Sequence, residues 1–231
     1  YRPPENAEGD AALAGDKPFI LHPDGVGWIY VSSGLKDGPL PAHYEPLESP
    51  FPNPLYPKRD TDPAALRLER PDNQYAGTGD RRYPHILTTY RLTEHHTAGG
   101  MTRTLSHLAE LQPELFCEVS PEMARELGLQ HGDYATISTV RSIVEARVLV
   151  TDRIKPIQIA GRTVHHVGLP YHFGTNGLVK GDMVNDLLPI SEEPNVRIME
   201  TKALLCDIRP GRRGRGKKAL DEIRAKREQA A

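Results

Sequence analysis

The chain has 231 residues, 38% hydrophobic and 26% charged with a mean hydropathy of −0.52, enough for one domain with a core of its own and an appendage. No run of about 18 apolar residues occurs, which excludes a direct helical membrane span. The two cysteines, Cys117 and Cys206, form no CxxC, which excludes a disulfide scaffold, a zinc ribbon or an iron–sulfur cluster held by this chain alone.

The formal charge of −2 hides an asymmetry. Residues 209–231 carry nine Lys or Arg against Asp221, Glu222 and Glu228, a tail of net +6 on a body of −8. Tyr1 is followed by a polar segment and not by a basic and then apolar leader, so the start reads as a processed end, a cut or a split, and the chain as a piece of something larger. The compartment stays open between cytoplasm and periplasm of a prokaryote.

In chain order, residues 1–85 hold 14 of the 21 prolines, each of which fixes a backbone angle and removes a donor. The same stretch carries Trp28, Tyr44, Phe51 and Tyr56, too many aromatics for a disordered linker, so it reads as an extended arm packing on the barrel or on a partner chain, with a hairpin over Phe19 to Val31. Short β-branched runs then predict strands at Ile86 to Tyr90, Tyr134 to Val140, Ile143 to Val150, Ile157 to Ile159, Thr163 to Val167 and Ala203 to Ile208. Ser120-Pro121-Glu122 opens a helix that Gly128 closes, and a second helix is expected over Thr104 to Leu111. Six strands with few helices point to a closed β-barrel over 86–210, since closure removes exposed edges. Residues 211–231 form a basic tail; its helical stretch, Lys217 to Gln229, has few apolar anchors and is expected to lie on a partner or to fray.

Two segments carry chemistry. Thr88 to Arg103 crowds hydroxyls, Arg91, His95, His96 and the Gly99-Gly100 pair, parts that grip phosphate, though a polar surface loop would look similar. His165 to Gly177, followed by Gly181 to Pro189, sets three histidines and two aromatics among glycines, which suits a flat heteroaromatic ring. A metal site is disfavoured there, because His165 and His166 face opposite sides of a strand, and buried histidines bonded to backbone are the simpler alternative. No GxxxxGK[ST], GxGxxG or GxSxG occurs. The basic tail lacks interleaved aromatics, so nucleic acid is not expected.

The runs LTTYRLTEHHTAGGMTR, ELFCEVSPEMARELGLQHGDYATISTVRSIVEARVLVTDRIKP and VHHVGLPYHFGTNGLVKGDMVNDLLP, with the arm FILHPDGVGWIYVSSGLKDGPLPAHYEPLESPFPNPLYP, together resemble the C-terminal part of the catalytic subunit of molybdenum or tungsten formate dehydrogenases. The resemblance covers residues 19–208. It implies a mainly β fold with short helices, a double-psi β-barrel of the molybdopterin dinucleotide-binding, aspartate-decarboxylase-like type, preceded by the proline-rich arm. It further implies bis(molybdopterin guanine dinucleotide) with Mo or W as cofactor, oxidation of formate to carbon dioxide or the reverse, and electron transfer to iron–sulfur clusters. Those clusters and the metal's protein ligand would lie in the remainder of the subunit, with an iron–sulfur electron-transfer subunit as a further partner, so no catalytic residue and no metal ligand is expected in this chain.

By position, the resemblance implies that Arg91 and His95 contact the pterin dinucleotide, with Leu92, Glu94 and Thr97 beside them and Met101 and Thr102 entering the helix. His172, in VGLPYHFG, joins them. Asn185 would meet a pterin edge, and Lys202 would face the cofactor from the last strand. The chain departs from the family at Tyr171 and Phe173, where many relatives carry tryptophan, and at Ser142, where glycine is usual. His95 and Asn185 are expected at one rim and close in space. The alternatives are the same domain from another molybdopterin oxidoreductase, such as a nitrate or polysulfide reductase, or a non-catalytic barrel that acts as a scaffold.

Overall fold

The computed structural model describes residues 5–6, 46–55, 66–159, 161–192, 197–199 and 203–229. The Phe19 to Val31 hairpin, Trp28, Tyr44 and Tyr56 lie outside them. Strands β1 (Leu66–Arg67) and β2 (His85–Tyr90) are followed by a 3-10 turn at Thr102–Thr104, helix α1 (Ser106–Leu111), β3 (Phe116–Val119) and helix α2 (Pro121–Leu127). Then come β4 (Tyr134–Ser138), β5 (Ile143–Val150), β6 (Ile157–Ile159), β7 (Arg162–Val164), β8 (His166–Pro170), a 3-10 turn at Val184–Leu187, β9 (Ser191–Glu192), β10 (Leu204–Pro210) and helix α3 (Lys217–Glu228).

Six strands close on themselves in the order β10-β2-β8-β3-β5-β4, the mixed barrel that the sequence calls for. Two pairs run parallel, β2 with β8 and β3 with β5. The alternation of β2 explains its place: His85, Leu87 and Thr89 are buried, while Ile86, Thr88 and Tyr90 are half-buried. Leu87, Cys117, Val119, Ile137, Val144, Val148, Val167, Leu169 and Cys206 fill the interior with Met123 of α2. That helix forms as its sequence dictates: the Ser120 hydroxyl accepts the Met123 N–H at 3.1 Å, and Gly128 ends it in the left-handed region at φ 67°.

Register places the loops. Tyr90 pairs with Pro170, so the segments that follow β2 and β8 leave from one rim. β3 runs antiparallel to β8 and starts there, and β10 runs antiparallel to both β2 and β4, which brings the β4–β5 hairpin to the same rim.

Three expectations are corrected, and one strand is added. The helix over Thr104 to Leu111 is broken, because Leu105 is extended and Thr104 turns its hydroxyl back to the Met101 carbonyl at 2.5 Å. The strand over Thr163 to Val167 divides at His165: β7 pairs with β6 in a hairpin outside the barrel, and β8 enters it. β3 escapes the sequence reading because Glu118 interrupts its apolar run; the side chain is buried and pairs with Arg153 at 3.3 Å. Helix α3 does not fray but docks on the barrel of its own chain. Arg227 donates to the Val140 carbonyl at 2.6 Å, Lys226 pairs with Asp207 at 2.7 Å, and Arg82 donates to the Arg227 carbonyl at 2.6 Å. With no buried side chain of its own, α3 is held by polar contacts.

Of the proline-rich arm, the described part is anchored by Glu48. Its carboxylate is fully buried, accepts the Ala76 and Leu205 N–H groups at 3.0 and 2.9 Å, and pairs with Arg141 at 2.6 Å.

Candidate cofactor site

The rim loop of residues 91–103 is sewn to residues 172–179 by two side chains. Arg103, 2% exposed, has no carboxylate partner among the described residues; its guanidinium donates to the carbonyls of His172, Gly174, Val179, Ala98 and Asn176 and to the Asn176 side-chain oxygen at 2.9 Å. His172 is fully buried. Its Nε2 accepts the Leu92 N–H at 2.7 Å, which leaves the proton on Nδ1 to be donated to the Thr97 carbonyl. Burial pulls the His172 pKa down, in keeping with a neutral ring. Gly99, at φ 73°, lies so close that a Cβ would strike the His172 carbonyl.

His95 is buried in the same loop and bonded within it. The Thr102 hydroxyl accepts the His96 N–H at 3.2 Å and lies 3.3 Å from His95 Nδ1, and His95 Nε2 lies 3.2 Å from the Gln112 carbonyl. Thr97, a β-branched residue, sits at φ 47°, a strained conformation that the His172 contact fixes.

Against this frame lies a groove of about 690 Å³, lined by Arg91, Leu92, Thr93 and Glu94 on one side and by Glu118, His131, Arg147 and Arg153 on the other. Arg147 pairs with Glu114 at 2.7 Å and Arg153 with Glu118. Arg91 differs from both. It is exposed, has no carboxylate partner among the described residues, and holds its guanidinium 5.6 Å from the centre of the Tyr171 ring, which in turn stacks on His172 at 4.8 Å. Glu94, half-buried, likewise has no ion pair.

Asn185 stands on the Val184–Leu187 turn, exposed, with no hydrogen bond to its side-chain amide among the described residues. The turn is fixed from behind, where Arg141 Nε and the Thr139 hydroxyl both donate to the Leu187 carbonyl, at 2.7 and 3.1 Å. The structure therefore brings the loops bearing Arg91, Leu92, Glu94, His95, Thr97, Met101, Thr102, His172 and Asn185 to one rim. No hydrogen bond links His95 to Asn185. Met101 is 73% exposed, and Lys202 lies outside the described residues. Sequence reasoning missed Arg103 and Arg141, whose partners are mainly carbonyls of remote loops that no motif announces. Among the described residues no group of three or more His, Cys, Asp or Glu could hold a metal ion, and no helix is long and apolar enough to cross a membrane.

The family model of the molydopterin dinucleotide binding domain matches residues 86–203. The chain is 40% identical over 195 residues to formate dehydrogenase 2 subunit alpha (cytochrome c-553) of Nitratidesulfovibrio vulgaris, covering 84% of this chain and 19% of that protein. It is 38% identical over 193 residues to the nitrate-inducible formate dehydrogenase major subunit of Escherichia coli, covering 83% and 19%. With the periplasmic nitrate reductase of Desulfovibrio desulfuricans it shares 30% identity over 137 residues, covering 59% and 17%. The chain thus spans about a fifth of the length of the curated relatives it matches.

Proposed function

From a chain that belongs to the molybdopterin dinucleotide-binding domain family, we propose a cofactor-holding part of a formate dehydrogenase catalytic subunit. The similarity to formate dehydrogenase subunits runs through 84% of the chain, against 59% for the nitrate reductase, and this favours the first reading. When bound, bis(molybdopterin guanine dinucleotide) with molybdenum or tungsten supplies the redox centre for interconverting formate and carbon dioxide, with electrons passing to iron–sulfur clusters in the rest of the subunit and in an electron-transfer partner.

The residues present fit such a group. A pyrophosphate needs a cation not already neutralised, and Arg91 is one; a pterin edge needs unpaired donors and acceptors, and the Asn185 amide offers both. Leu92 and Glu94 line the groove, and Thr97 and Met101 are assigned to the approach on resemblance. Direct contact by His172, expected from the sequence, gives way to a holding role because both its nitrogens are bonded to backbone. His95 and Thr102 support the same loop from within, and Lys202 is retained as a cofactor contact on resemblance alone.

The unpaired Arg91 carries the proposal. In the holoenzyme, Arg91→Ala lowers bound pterin dinucleotide and formate oxidation together, by a factor corresponding to about 1.5 to 3 kcal/mol, while the circular dichroism spectrum stays unchanged. Arg91→Lys restores only part, since an ammonium cannot make the two-pronged contact. Full cofactor occupancy with normal turnover in Arg91→Ala overturns the assignment.

A further inference from the structure

Arg141 is a buried cation outside the groove that, unlike Arg103, holds a carboxylate as well as backbone carbonyls. Its side chain, 2% exposed, pairs with a Glu48 side chain that is not exposed at all, through Nη1–Oε1 at 2.6 Å and Nη2–Oε2 at 3.3 Å. The remaining donors go to the Gln74 carbonyl at 2.5 Å and, through Nε, to the Leu187 carbonyl at 2.7 Å. Thr139 reinforces this: its hydroxyl accepts the Arg141 N–H at 3.2 Å and donates to Leu187 as well. The backbone of the hairpin is gripped from outside by Arg227, which donates to the Val140 and Arg141 carbonyls.

A buried guanidinium with one counter-ion and two carbonyls is fixed in direction, because losing any acceptor would leave a desolvated donor unmet. The Leu187 carbonyl closes the turn on which Asn185 stands, and within that turn the Leu188 N–H bonds the Asn185 carbonyl at 3.1 Å. We propose that Arg141, oriented by Glu48, is a positioning residue that fixes the Asn185 turn at the rim and so ties the proline-rich arm to the cofactor site. This rests on the reading of Asn185 as a cofactor contact. Neither Arg141 nor Glu48 touches the cofactor; the arm acts by supplying the carboxylate.

The test compares Arg141→Lys, Glu48→Gln, Thr139→Val and Asn185→Leu in the holoenzyme, read by amide hydrogen exchange, by pterin content and by the electron paramagnetic resonance signature of the metal centre. Lysine keeps the charge facing Glu48 but cannot reach the Leu187 and Gln74 carbonyls together. Arg141→Lys and Glu48→Gln should speed exchange at the Asp186 and Leu188 amides about tenfold, the change expected for one lost hydrogen bond, and should alter the metal signature while the β4 and β5 amides keep their protection. Thr139→Val, the gentler change, should do the same to a smaller degree and keeps the test open if the charged-pair variants fail to fold. Unchanged exchange at 186 and 188 in all variants that fold overturns the positioning role. Changed exchange with normal pterin content and metal signature also overturns it, provided Asn185→Leu disturbs them; if Asn185→Leu leaves them normal, the reading of the site itself has failed.

Discussion

Two regions of this molecule are rich in positive charge, and they use it in opposite ways. Along the C-terminal segment six of the nine cations are engaged by the chain itself. Arg209 pairs with Glu222, Arg213 with Asp182 through two contacts of 2.5 and 2.8 Å, Arg212 and Arg215 with Glu145, and Lys226 with Asp207. At the rim, Arg91 meets the face of Tyr171 and no carboxylate among the described residues. A count of Lys and Arg therefore does not tell paired cations from unpaired ones: the dense cluster works as a strap, and Arg91 has no carboxylate partner among the described residues.

The strap side should be broken most strongly by acid. His85 opens β2 beside the Asp207 that anchors α3, and burial, opposed by Asp207, pulls its pKa from 6.5 to about 4. The unfolded chain takes up this proton more readily than the native one, so the contribution is complete above pH 6.5 and is lost as pH falls through about 4. It amounts to on the order of 3 kcal/mol. Urea midpoints at pH 7, 5.5 and 4.5 should fall accordingly, and His85→Phe should flatten that limb relative to the parent.

The rim side should be broken next by Gly99→Ala. Left-handed backbone and collision with the His172 carbonyl together cost about 3 kcal/mol, and loss of protection should concentrate in residues 91–103 with the barrel strands intact. Loss spread evenly over the barrel would show that loop and barrel are one cooperative unit.

A smaller effect is expected where the two regions meet. Burial pushes the Asp182 carboxyl up, but the Arg213 hydrogen bonds and the Glu145 N–H outweigh it and hold the pKa below the usual range. Arg213→Ala should cost about 1 to 2 kcal/mol at pH 7, and that cost should shrink as the pH falls through the lowered pKa, where Asp182 takes up a proton. A loss that stays the same on both sides of the Asp182 titration, followed in the same samples, would mean that packing, not charge, holds the strap.

The smallest change is Thr97→Gly. It releases strain of about 1 kcal/mol, so thermal stability should hold or rise, while loss of the hydroxyl lowers pterin content. A fall in stability would place the value of Thr97 in packing.

How far the sequence was legible follows from how local each signal is. Strand Ile143–Val150 and the capped helix after Ser120 were readable because a β-branched run and a cap act within a few residues. The break at Leu105 and the division at His165 were not, because both depend on which distant strand or carbonyl arrives. The same holds at the site. Arg91 could be picked out as a cation among hydroxyls and glycines, whereas Arg103 and Arg141 take their meaning chiefly from partners 46 to 93 positions away. The role of His172 needed a direction for each ring nitrogen, and no sequence carries that.

The position of β10 between β2 and β4 has a consequence for synthesis on the ribosome. Until residues 204–210 emerge, β2 and β4 are open edges of a five-stranded sheet, and the Glu48 carboxylate lacks the Leu205 N–H that helps to bury it. Open edges recruit other chains. A nascent chain stalled before Leu204 should therefore be a substrate for chaperones that cover exposed strands, and release of the last strand should end that dependence by joining both edges in one step.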